Sequence, residues 1–160
     1  MPLTRQGSTH RRRGQALVEF ALLLPVLVLM LMSIFDFARA IYAYNAISDA
    51  ARSGTRTAIV NQNAQDIRNR VAAQATGLVI STAAASCPPG GANGVCVQYL
   101  NADLSATCPT ISIGCVAQVA VKYTFTPITP IISNIIGSIA MGSTSQEPIE
   151  STCTGTCPIP

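Results

Sequence analysis

The sequence predicts an α+β protein. One long N-terminal helix crosses a membrane and continues outside it, and a small antiparallel sheet domain packs on the outer half. Three observations predict this. Residues 15–35 are an apolar run with a single charge, Glu19. The residues after it keep apolar side chains at helical spacing. From Leu78 onward β-branched residues, Gly, Pro and Cys take over, and residues 116–125 alternate with a period of two.

The apolar run comes first. A helix over its 21 residues rises about 30 Å, the thickness of a bilayer core. Arg11, Arg12 and Arg13 precede it and Asp36 follows it, which sets the N-terminus on the cytoplasmic side and the rest outside. A cleaved secretory signal has a shorter core and a small-residue cleavage site, whereas Ser33-Ile34-Phe35 fits that site poorly. Pro25 removes one helical hydrogen bond and favours a kink, which membrane helices tolerate. Glu19 is costly in lipid and asks for a positive partner.

Beyond the run, Phe37, Ile41, Tyr44 and Ile47–Ala51 recur at spacings of three and four. This stripe predicts that the helix continues to about Ala58 and packs its stripe on the outer domain, or on another subunit. Asp49 and Arg52 are placed to pair across a turn, and Gly54 weakens the helix near its end. A second helix is predicted in NAQDIRNRVAAQAT, with a cap among residues 61–63, Asp66 in the first turn, and Ile67 and Val71 as its apolar pair.

The strands follow. VCVQYL predicts a strand with Val95, Val97 and Tyr99 on one face. CVAQVAVKYTF predicts another, with Ala117, Val119, Val121, Tyr123 and Phe125 on the buried face. GLVIST reads as a short strand or the end of the second helix, and SCPPGGANGVC as a loop. Ile128 to Met141 is apolar but too short for a second crossing, and is expected to be a buried or amphipathic part of the outer domain. The tail STCTGTCPIP is turn-like.

Composition narrows the function. Charged residues are 11% of the 160, well below the share of about 25% usual in soluble domains. The net charge of +3 comes from Arg5, Arg11, Arg12 and Arg13. From Gln15 onward there are six basic and seven acidic residues, so the sustained basic surface that nucleic-acid binding needs is missing. The six cysteines, Cys87, Cys96, Cys108, Cys115, Cys153 and Cys157, all follow the apolar run and read as candidate disulfides in an oxidising compartment. They allow 15 pairings, of which neighbour pairing closes the shortest loops. With no C-x2-C pair and no histidine after His10, zinc is not expected. Asp49, Asp66 and Asp103 are isolated, and no phosphate loop or nucleophile elbow is present, so neither catalysis nor a cofactor is expected.

The stretch RRRGQALVEFALLLP resembles a prepilin N-terminus of the type IV pilin superfamily. In that pattern a basic leader ends in glycine, a prepilin peptidase cuts after it, and the fifth mature residue is glutamate. Here these are Gly14, Gln15 and Glu19. Phe20 after the glutamate, with no phenylalanine at the cut, resembles the Tad/Flp branch. The longer stretch from Gly14 to Val60 resembles the TadE-like family through Pro25, the step Asp36-Phe37-x-Arg39, and the A-A-R-x-G element of Ala50, Ala51, Arg52 and Gly54. VAVKYTFTPITPIIS resembles that family's C-terminal strand and P-x-x-P segment, with Pro127 and Pro130.

The resemblance implies a minor pilin or pseudopilin that assists assembly of an adhesive Tad-type pilus. Its implied partners are the prepilin peptidase, other pilin-like subunits, the Tad machinery and the lipid bilayer. Residues 1–14 are then the leader, 15–58 the helix (15–35 in the membrane, 36–58 outside), and 59–160 the cysteine-containing domain. Cleavage creates an ammonium at Gln15, one turn from Glu19 on the same face. Glu19 then neutralises that amine, or a neighbour's, and with Pro25 sets the axial register between subunits. The competing reading is a signal-anchored extracytoplasmic binding protein with an uncut leader.

Overall fold

The computed structural model describes residues 9–83, 86–87, 89 and 93–153. Helix α1 runs Thr9–Ala58, 50 residues and about 75 Å. It begins before Gln15 and passes through Gly14 without a break. Arginine is a good helix former, and one glycine costs only about 1 kcal/mol against alanine, too little to interrupt so long a run. Pro25 sits inside the helix. At the other end, the amides of Ile59 and Asn61 donate to the carbonyls of Thr55 and Thr57 and close the last turn.

Asn61 organises the turn that follows. Its Oδ1 accepts from the Asn63 amide and its Nδ2 donates to Asp66, so this fully buried side chain has partners at both ends. Asn63 then caps α2 (Ala64–Gln74) by accepting from the Gln65 amide. Ile67 and Val71 are the buried residues of α2, as its i,i+4 spacing predicts. Residues 78–80 form neither strand nor helix, and Ser81 makes one isolated bridge to Gly94.

Three strands, β1 (Gly94–Leu100), β2 (Val116–Phe125) and β3 (Ile139–Pro148), form an antiparallel sheet in the order β1-β2-β3. Val97 faces Val119 and Ala120 faces Thr144 across the ladders. Between β2 and β3 lies a short helix, α3 (Pro130–Ile136). The predicted inner faces hold: Val95, Val97, Tyr99, Ala117, Val119, Val121 and Tyr123 pack with Ile47, Ala50, Ala51, Ile67 and Val71 in one core. The sheet therefore seats on a patch of α1 where Ala50, Ala51 and Gly54 keep side chains short.

β3 had no sequence signal. Ser143, Thr144, Ser145 and Gln146 carry no apolar alternation, and the strand is half-exposed throughout. It is selected by ladder pairing with β2 along its whole length. The segment before it also differs from expectation. α3 has no buried residue, and Ile128, Ile131, Ile135 and Ile136 are all exposed.

The outer stripe of α1 is split. Ile47, Ala50 and Ala51 are fully buried, but Phe37, Ile41 and Tyr44 are exposed. At 100° per residue those three lie about 60–120° round the helix from Ile47, on one flank of the contact. The buried side of the outer helix is instead Asp36, Ala43, Ile47, Ala50, Ala51 and Ala58. Two disulfides, Cys87–Cys96 and Cys108–Cys115, follow neighbour pairing. Cys153 is also disulfide-bonded, and Cys157 lies outside the described residues.

Candidate assembly surface on the N-terminal helix

From Gly14 to Phe35 every residue of α1 is exposed. A Cβ at Gly14 would meet nothing within 4 Å among the described residues. Gln15 and Glu19 are one turn apart on one face, followed by Phe20, and all three are exposed. The predicted processing residues and Pro25 thus stay together on a bare helix, apart from the disulfides. Ser33 donates its hydroxyl to the Leu29 carbonyl at 2.8 Å, so this hydroxyl is satisfied within the helix itself. The helix is long and apolar enough to cross a membrane, which fits single-pass anchoring.

The end of the run is marked by a carboxylate clamp. Asp36 is buried, 6% exposed. Its Oδ1 accepts from the Ile128 amide at 3.1 Å and its Oδ2 from the Thr129 amide at 2.9 Å. Hydrogen bonds from the Thr129 side chain, then from the Thr129 and Ile128 amides, hold its carboxyl down at about 2, with burial opposing and Arg39 adding a smaller attraction. Arg39 lies 3.4 Å from Asp36 and 5.4 Å over the Phe125 ring. Asp36 therefore ties the end of the apolar run to the start of α3, 92 residues later in the chain. In the sequence it showed only as a flanking charge and part of a motif. The Thr129-Pro130 helix start was the available signal, since a helix N-terminus needs acceptors for its amides.

Residues 14–56 match the family model described as TadE-like protein. The matched residues all lie within α1, so the similarity to that family is to this helix alone. No curated protein and no solved structure matches the chain. The match takes in Gly14, Glu19, Pro25, Asp36 and Arg39, and stops two residues before α1 ends. Within the TadE-like segment the A-A-R-x-G element has a packing meaning. Ala50 and Ala51 are fully buried under the sheet, and Gly54 lies against Val71 and Val119. Arg52 faces solvent and pairs at 3.8 Å with an equally exposed Asp49, a contact of small energetic weight.

Proposed function

We propose that this chain is a minor pilin-like subunit that assists assembly of an adhesive Tad-type pilus, anchored with its N-terminus inside and its sheet domain outside. The observation that carries the reading is the TadE-like match over a helix whose first 22 matched residues, Gly14 to Phe35, are all exposed. The prepilin peptidase acts between Gly14 and Gln15. That bond lies within α1, so the helix must open there for cleavage. Glycine lowers the cost of opening by about 1 kcal/mol relative to alanine, and a Cβ at Gly14 would touch none of the described residues. The chain is then a substrate of the peptidase and carries no catalysis of its own.

After cleavage the arginine leader is gone and the new ammonium at Gln15 faces Glu19. In a bundle of such helices an unpaired Glu19 is costly, and pairing it with an amine fixes one axial register over others. The intact mass of the membrane form tests this. Loss of Met1–Gly14 supports the reading. A full-length chain favours a signal-anchored binding protein, and a cut beyond residue 30 removes both. Glu19→Leu is expected to abolish co-purification with partner pilins, and unchanged co-purification would discard the register role.

A further inference from the structure

The β2–β3 connection carries more exposed isoleucine than a water-facing turn has use for. Ile128, Ile131, Ile135 and Ile136 are 70%, 50%, 78% and 59% exposed. No charged residue occurs between Lys122 and Glu147. Ile131 and Ile135, four apart, share one side of α3, and Ile128 lies just before its N-cap Thr129. Contiguous apolar surface of this kind marks a contact with lipid or protein.

The fold places this surface at one height. β2 runs back along α1, with Val119 beside Gly54 and Phe125 beside Arg39. Its end therefore points toward the apolar run. α3 makes the turn there, and β3 leads away until Ser151 reaches the Ile59 carbonyl at the far end of α1. The Asp36 clamp pins Ile128 and Thr129 to the boundary of the run. Ile128 and Pro130 line an open, mainly apolar cleft of about 380 Å³ with Val28, Leu29, Met32 and Phe35 of the run itself. Leu29 is seven residues before Asp36, so the cleft that the turn shares with the run extends about 10 Å inward from it.

We propose that residues 128–136 insert into the outer lipid interface of the membrane that α1 crosses. The depth agrees with the ~5–10 Å typical of interfacial apolar elements. The patch is continuous with the lipid-exposed surface of α1, which identifies acyl chains as its cover. Arg39, one turn outward of Asp36, stands at the level of the headgroups. Two contacts with the bilayer, the span and the isoleucine turn, then set the height and tilt of the sheet domain. The proposal rests on the reading of residues 15–35 as a membrane span.

The chain has no tryptophan, so single Trp reporters test it. Ile135→Trp is compared with Met32→Trp in the span and Ile113→Trp in the loop at the opposite end of the sheet. The full chain is placed at one copy per nanodisc in phosphatidylcholine and phosphatidylglycerol, with and without brominated acyl chains. Ile135→Trp is expected to emit at shorter wavelength and be quenched several-fold more than Ile113→Trp, approaching Met32→Trp. Ile128→Trp repeats the reading at a second exposed position. If Met32→Trp is quenched and the two isoleucine reporters behave like Ile113→Trp, the insertion is wrong and the span stands. If Met32→Trp is not quenched, the span fails and the insertion with it. A blue shift that appears only with several copies per disc would assign the patch to a second chain and overturn the proposal.

Discussion

Gly54→Ala offers a stringent test of how the sheet domain sits on α1. A Cβ at this position would lie 2.4 Å from Val71 Cγ2 and 3.1 Å from Val119 Cγ1. Carbon atoms rest at about 3.5–4.0 Å, so Val71 must retreat by roughly 1 Å or more. It cannot do so by rotating: valine in a helix has essentially one rotamer, and Val71 is fully buried. The whole of α2 has to move off α1. Overpacking of this kind costs about 1–3 kcal/mol, and alanine returns about 0.5–1 kcal/mol of helix preference. The expected net loss is about 1–2 kcal/mol, which lowers the midpoint of thermal unfolding by on the order of 5–10 °C for a domain of about 100 residues. Circular dichroism of the detergent-solubilised chain reads that shift. Val71→Ala alone leaves a void, but in the double variant the new methyl occupies part of it. The pair should therefore be less destabilised than the sum of the singles, by about 1 kcal/mol. An unchanged or higher midpoint for Gly54→Ala, or strict additivity of the pair, would refute the close α1–α2 approach.

The Asp36 clamp has a pH signature. Its carboxyl is held at about 2 against an ordinary 3.8, so its stabilisation is complete above the ordinary value and is lost as pH falls through about 2. Asp36→Asn should remove that acid-range dependence and speed hydrogen exchange at the Ile128 and Thr129 amides, and unchanged protection there would count against the clamp. The disulfides Cys87–Cys96 and Cys108–Cys115 close short loops, and chain entropy assigns each about 2.5 kcal/mol. Replacing either pair by serine should lower the denaturant midpoint accordingly, and an unaltered midpoint would show that the closed loops do not constrain the unfolded chain.

The local elements with strong periodicity were legible in the sequence. The 21-residue apolar run, Ile67 with Val71, and the alternation from Ala117 to Phe125 each encode a face that one element must hide, whatever it hides against. β3 was not legible, because only Met141 among its side chains packs on the core and its pairing partner lies in β2. Helix α1 was expected to begin at Gln15, but helix propensity continues through the arginines. Phe37, Ile41 and Tyr44 looked as good a core stripe as Ile47 and Ala51. Size decided against them, since the sheet approaches α1 most closely where the helix carries alanine and glycine.

The candidate processing residues divide in the same way. Gly14, Gln15, Glu19 and Phe20 are recognisable in one dimension because their spacing along a single helix is itself the signal, and the TadE-like match covers that helix. Asp36 is different. Its partners, Ile128 and Thr129, are far along the chain, so its role exists only after β2 has returned to the edge of the apolar run. The sequence by itself determined that this protein has an apolar run long enough to span a membrane, a helix that continues beyond it, and an alternating strand to cover that helix. Tertiary structure decided which flank of the helix is covered, and that an isoleucine-rich turn is carried back to the level of the span. These depend on long-range contacts, and composition and local period carry no record of those.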